Sequence, residues 1–241
     1  MKYMSKQFLA VIAAVVIIFV GVLAISNHKS NSSVDTKDLT HHVEGEGKDG
    51  VTLTEYGVYE CPYCGEYYST IKQVVAIYND QITFQFVNFP LVSIHPNALA
   101  GARAAEAAGL MGKYWQMHDL LYETNQVYYD SNETAASWIS SGSPISYFDK
   151  FAKQLGLNVT TFNTDYNSNK VNDLINNDLN EGNKLGINAT PTFYLDGKKM
   201  SPAPGNTVSA FQTAINAAIK QKTAAKSNIN SSSTTTTDKK S

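Results

Sequence analysis

Hydrophobic and polar positions divide this chain into four stretches of different character. The first is FLAVIAAVVIIFVGVLAI, from Phe8 to Ile25, which carries no charged or strongly polar side chain. Its 18 residues, at about 1.5 Å of helical rise each, reach roughly 27 Å against a hydrocarbon core of about 30 Å, so the run predicts a membrane-spanning helix. Lys2 and Lys6 precede it, and cationic flanks stay cytoplasmic, which places everything after Ser26 outside; Lys29 and Lys37 act against that orientation. The alternative is a cleaved signal peptide, with Val22 and Ala24 at a small-residue cleavage site, but such peptides carry apolar cores of about 7 to 15 residues. We read residues 1–25 as an uncleaved anchor at the cell membrane; both readings export the rest of the chain.

The second stretch, from Ser26 to about Gly50, turns polar and lacks apolar periodicity. Residues 26–41 read as a tether whose end joins a folded domain spanning 42–221. The last stretch, 222–241, is low-complexity Ser/Thr/Lys and buries too little apolar surface to repay ordering, so it reads as a disordered tail.

The third stretch carries the folding signals. VTLTEYGV, Val51 to Val58, alternates and puts Val51, Leu53 and Glu55 on one face, so a carboxylate shares the apolar side of a strand. After Cys61, Pro62 suits the first position of a helix, and Ile71, Val74, Val75 and Tyr78 follow at spacings of three and four. Cys61 is then the N-cap and Cys64 lies one turn inside. QITFQFVNF, Gln81 to Phe89, alternates as a second strand, which completes a βαβ beginning. From Ser93 to about Asn177 strand signals fade. NALAGARAAEAAGL, KYWQMHDLLYETNQ, ETAASWI and ISYFDKFAKQLG read as helices, as does a stretch near Val171 to Leu185, so an all-helical insertion is predicted over about 93–177. TPTFYLDGKKM restores a hairpin with Asp196-Gly197 at its turn, and TVSAFQTAINAAI closes the block as an amphipathic helix.

Composition adds two exclusions. A formal charge of −2 over 241 residues provides no basic field for nucleic acid. With 43% hydrophobic residues the chain can bury a core without covalent staples.

The two cysteines are the candidate chemistry. Structural zinc needs four ligands, no second cysteine pair exists, and the histidines lack the usual metal spacing, though His41-His42 remains a conceivable completion. A staple is weaker, because the gain from a disulfide grows with loop length and this one closes over two residues. Thiol–disulfide exchange fits best, since it needs a thiolate and Cys61 sits where unpaired helix N–H groups point outward. A helix terminus supplies about 0.3–1 kcal/mol, whereas a thiol lowered into the range ~3.5–7 requires roughly 2 to 7, so direct hydrogen bonds from helix N–H groups and the Cys64 thiol must add the rest. Glu60 opposes the shift if its carboxylate lies near. Glu55 exchanges the proton of Cys64 if burial raises its pKa. This chemistry calls for no cofactor and no metal.

Taken together, LTEYGVYECPYC, the stretch HPNALAGARAAEAA to GKYWQMHDLLYETNQ, and LGINATPTFYLDGKK resemble the thioredoxin superfamily, and within it the exported DsbA-like branch that includes membrane-anchored thiol oxidases of the BdbD type. The likeness covers about residues 42 to 221. It implies a thioredoxin fold, α/β, with an all-helical insertion between the βαβ half and the C-terminal ββα half. It further implies that Thr190-Pro191 is the cis-proline loop opposite Cys61, Pro62, Tyr63 and Cys64, and that Thr190 pairs through its backbone with an extended substrate segment. Glu55 falls where that branch carries its buried glutamate. The implied activity is oxidation of cysteines in exported proteins, with a membrane thiol oxidase as redox partner. Tyr63 stands where that branch commonly has histidine, which suggests a potential between those of DsbA and the glutaredoxins; a reductase or isomerase with the same site is the second reading, and a metal-binding or chaperone-like module the third.

Other polar residues have plainer readings. His95 before Pro96 reads as local capping, Trp115, His118 and Tyr122 as helix packing, and Asp165, Asp173 and Asp178 as a solvated face.

Overall fold

A computed structural model describes residues 42–234, with side chains described through residue 227. The apolar run at 8–25, the tether at 26–41 and the end of the tail lie outside the described residues. Among the described residues no helix is long and apolar enough to cross a membrane.

Among the described residues five strands and seven helices follow in the order β1 (His42–Glu44), β2 (Val51–Gly57), α1 (Pro62–Tyr78), β3 (Ile82–Asn88), α2 (Ala98–Leu110), α3 (Tyr114–Asp130), α4 (Ile145–Gln154), α5 (Val159–Tyr166), α6 (Asn169–Lys184), β4 (Thr192–Leu195), β5 (Lys198–Lys199) and α7 (Val208–Thr234). The sheet order is β1-β3-β2-β4-β5. β2 and β3 run parallel, with Glu55 opposite Phe86. A parallel pair needs a crossover, and α1 supplies it. β4 runs antiparallel to β2, with Glu55 opposite Phe193, and β5 continues the hairpin outward.

The alternation in β2 and β3 explains why helices cover both faces. Val51, Leu53, Phe84 and Phe86 pack with Ile71 and Val74 of α1 and Phe211 and Ile215 of α7 in the main core. The opposite face holds a smaller cluster, Tyr56, Val87, Phe89, Ile187 and Tyr194, with Leu179 of α6 against it. Because α2 to α6 all fall between β3 and β4 in the chain, the helical insertion is a unit added to the sheet at one point. Asn88, at the end of β3, pins it: its side-chain amide donates to Glu106 of α2 at 2.7 Å, and its backbone N–H donates to Asp178 of α6 at 3.0 Å. Asp178, expected on a solvated face, is therefore fully buried.

Four boundaries differ from the sequence reading. The polar stretch before Gly50 ends in a strand, β1, antiparallel to β3. Three residues are too few to show a period; β1 is held instead by His42 stacked on Tyr114 at 3.3 Å and by Trp115 Nε1 donating to the Val43 carbonyl. ETAASWI is not helical. Asn132 and Glu133 adopt positive φ, and Ser131 Oγ takes the Ala135 N–H, so side-chain hydrogen bonds replace helical ones. The insertion adds α5, capped by Asn158, and α6, the helix expected near Val171 to Leu185, carries it to Lys184, past the expected boundary near 177. Finally, α7 runs past Lys222 to Thr234 into the expected tail; Lys220, Gln221, Lys222, Ala224, Ala225 and Lys226 are good helix formers that carry it on.

Candidate active site

The site is built at the start of α1. Cys61 is the N-cap, with extended backbone at φ −70° and ψ 126°, and Pro follows at the start of the helix. Proline tolerates that position because the N–H it lacks has no intrahelical partner there. Cys61 is 4% exposed and Cys64 is fully buried, while Tyr63 between them is 62% exposed. Both cysteines are free thiols.

Their environments push the two sulfurs apart. A hydrogen bond from the Cys64 thiol is the main influence on Cys61; burial opposes it, and the Cys64 backbone N–H, the Thr190 side chain and the His95 imidazole add to it, so the thiol is lowered to about 5. Relative to an ordinary thiol at 9.0 this is worth roughly 5 kcal/mol, well above the ~0.3–1 that a helix terminus supplies. Cys64 goes the other way. Burial, followed by the neighbouring Cys61, pushes it well above the usual thiol range, although the Val58 N–H donates to its sulfur at 3.5 Å.

Glu55 sits on the same face of β2 as expected, 3% exposed, and burial followed by the charge on Cys61 raises it to about 8. It is a proton-carrying carboxyl at neutral pH. Across the site, the Thr190-Pro191 peptide is cis. Cys61 Sγ lies 3.7 Å from the Thr190 carbonyl oxygen, with the buried Thr190 Oγ1 beside it. The structure thus brings Cys61, Pro62, Tyr63, Cys64, Glu55, Thr190 and Pro191 into one neighbourhood.

Four further residues belong to it, of which the sequence reading had considered Glu60 as a charge near Cys61 and His95 as a cap. His95, read as a cap, lies close enough to favour the Cys61 thiolate. Burial raises the Glu60 carboxyl to about 7, against the backbone N–H groups of Asn97 and Ala98 at the start of α2, which favour its charge. Asn125 of α3 donates to the carbonyls of Tyr59 and Cys61 at 2.8 and 3.2 Å. It packs so closely on Gly65 that an added Cβ there would collide with its side chain. Tyr129, also of α3, donates to the Glu60 carbonyl at 3.0 Å. Only Glu60 carried a sequence signal, by adjacency; the others reach the site through the fold. Among the described residues no group of three or more His, Cys, Asp or Glu side chains is arranged to hold a metal ion.

A profile of the thioredoxin family matches residues 37–217. The chain belongs to the thioredoxin family. Among solved structures, this family member is similar to oxidised BdbD from Bacillus subtilis, with a TM-score of 0.63 and 21% identity over 77% of this chain and 95% of that one. It is similar also to the thiol-disulfide exchange protein α-DsbA2 from Wolbachia pipientis, with a TM-score of 0.58 and 20% identity over 74% of this chain and 87% of that one. Both likenesses are of fold, extending over about three quarters of this chain. Among curated proteins it is 32% identical over 158 residues to the Na(+)/H(+) antiporter NhaA 1 of Mycolicibacterium gilvum, a match covering 66% of this chain but 24% of that protein. The chain therefore spans about a quarter of the length of that relative.

Proposed function

We propose that this thioredoxin-family protein is a thiol–disulfide oxidoreductase that oxidises cysteines of exported proteins. The observation that carries this reading is the split between the two sulfurs: Cys61 is lowered to about 5 while its neighbour Cys64 is pushed well above the thiol range. A stable thiolate is both a good leaving group and a sulfur poised for attack. A structural pair or a zinc knuckle has no use for one acidic and one protonated sulfur. The similarity in fold to BdbD and to a protein titled a thiol-disulfide exchange protein supports the same reading.

In the oxidising direction a substrate thiolate attacks Cys61 Sγ of the Cys61–Cys64 disulfide. The S–S bond breaks, its electron pair goes to Cys64 Sγ, and Glu55 supplies the proton that this sulfur retains. A second substrate thiolate then attacks the substrate sulfur of the mixed disulfide. Cys61 leaves as the stabilised thiolate and the substrate departs with its own disulfide. The reverse direction uses the same groups, with Cys61 attacking and Cys64 resolving. The Thr190 carbonyl and N–H, beside Cys61 in the cis loop, are placed to pair with an extended substrate segment.

We place this domain outside the cytoplasm, held by the apolar segment 8–25, with a membrane thiol oxidase regenerating the disulfide. Trapping tests the catalytic reading. Cys64→Ala is expected to accumulate mixed disulfides with exported partners on non-reducing gels, and Cys61→Ala none; equal trapping by both variants would contradict the assigned roles.

A further inference from the structure

Glu55 needs a route to solvent, because a carboxyl that gives its proton to Cys64 must be reprotonated before the next cycle. A cavity of about 50 Å³ lies beside it, bounded by Glu55, Phe84, Lys72, His118, Asp119 and Tyr122. One water needs roughly 10–15 Å³ of such space and two to four polar partners. The partners are present. His118 Nε2 and the Tyr122 hydroxyl are both buried without a hydrogen-bond partner. The other ring nitrogen, His118 Nδ1, lies 3.4 Å from Asp119 Oδ1. Asp119 Oδ2 in turn accepts from Lys72 at 2.7 Å, and the side chains of Lys72 and Asp119 are 53% and 37% exposed. Polar groups thus run from the buried carboxyl to the surface, and the only imidazole among them comes from the helical insertion.

We propose that this cavity is the proton passage of the active site, with His118 as the positioning residue that carries protons between Glu55 and the surface at Asp119. The proposal rests on the exchange reading above. The protonation states suit it: burial holds His118 below its usual range, so the neutral ring has one donating and one accepting nitrogen, while burial keeps Glu55 protonated to about 8. Asp119, despite burial, is kept ionised down to about 2 by His118 and Lys72 and so orients the ring. The titratable groups around the passage are His42 and Glu44 of β1, Tyr59 before α1, Cys61, Cys64, Tyr68 and Lys72 at or in α1, and Tyr114, Asp119 and Tyr122 of α3. Burial moves Tyr59, Tyr68, Tyr114 and Tyr122 far from neutral pH, and burial raises Glu44.

The proton balance closes over one turnover. When the Cys61–Cys64 bond breaks, Glu55 gives its proton to Cys64 Sγ. The carboxylate left behind takes a proton that enters the cavity from its exposed edge at Lys72 and Asp119 and is held first on His118 Nε2, the transient imidazolium being paired through Nδ1–H with Asp119. When a second disulfide re-oxidises the pair, Glu55 first releases its proton through His118 Nε2 by the same route, then takes the proton of Cys64, and the imidazole is left neutral as before.

The experiment is the steady-state turnover of thiol–disulfide exchange, with reduced glutathione and a re-oxidising disulfide such as cystine both in excess, followed against pH in wild type, His118→Gln, Glu55→Gln and the double variant. His118→Gln is expected to slow the reaction about tenfold between pH 6 and 8, a modest share of the 10²–10⁴ typical of acid–base assistance. The alkylation midpoint of Cys61 should stay in place, and His118→Gln should add no slowing once Glu55 is Gln. Wild-type rates in His118→Gln, or equal slowing in both backgrounds, would overturn the proposal and leave His118 a packing residue. Should His118→Gln fail to fold, a proton inventory on the wild type decides: a curved dependence on deuterium content supports a multi-proton passage, and a linear one overturns it. Wild type that exchanges no thiols at all would sink the exchange reading itself, an outcome distinct from these.

Discussion

The β2–α1 turn and the helical insertion meet at the same two sulfurs, but they act on them over very different chain distances. Val58, Cys61 and Cys64 lie within seven residues; the hydrogen bond from the Cys64 thiol is the main influence on Cys61, while burial, and after it Cys61, raises Cys64. Asn125 and Tyr129 of α3 reach the same turn from 64 to 69 residues away and bind only its carbonyls. The local segment supplies the largest share of the thiolate's stabilisation, with smaller shares from Thr190 and His95, while α3 holds the segment in shape. Acidity and stability should therefore respond separately to mutation.

The largest effect is expected at Glu55, which belongs to the local side. Its folded pKa, about 8, lies above the unfolded value of 4.5, so the native state keeps a proton that the unfolded chain has lost, and stability falls as pH rises through that window. Glu55→Gln removes this cost. It should stabilise the reduced protein by about 3 kcal/mol at pH 7 and by almost nothing below pH 4, as read by urea unfolding. Because the Cys61 charge contributes to the shift, the gain should be smaller in the oxidised protein. A gain independent of pH would show that Glu55 is not the strained acid described here.

A smaller effect, of opposite sign, is expected from the insertion side. Asn125→Ala leaves the Tyr59 and Cys61 carbonyls without a buried donor and opens a void against Gly65. About 1–3 kcal/mol of stability should be lost. The alkylation midpoint of Cys61 should scarcely move, since Asn125 is not among the groups that lower it. A large shift in that midpoint would erase the division between the two regions.

The same division explains what the sequence made legible. The N-cap position of Cys61, the crossover helix and the apolar face shared by Glu55 were all readable, because each depends on spacing within a few residues. The Asp196-Gly197 hairpin was readable for the same reason. β1 was not, since its three residues are fixed by Trp115 and Tyr114 from α3 rather than by their own pattern. Nor was the non-helical run at 133–139, where positive φ at Asn132 and Glu133 and the Ser131 side chain override propensity. At the site, His95 and Asn125 carried no local signal, because their roles arise only when distant helices pack on the turn. Pro191 owed its placement to family resemblance, and the structure puts Thr190 against Cys61.

The central claim, that Cys61 is held as a thiolate while Cys64 waits protonated, is tested most directly by the rate of iodoacetamide alkylation of the reduced protein against pH, with each cysteine followed by mass spectrometry. A midpoint near 5 for Cys61 is expected, with Cys64 unlabelled through neutral pH. A midpoint in the ordinary thiol range of about 8.5, with both cysteines labelled at equal rates, would contradict it.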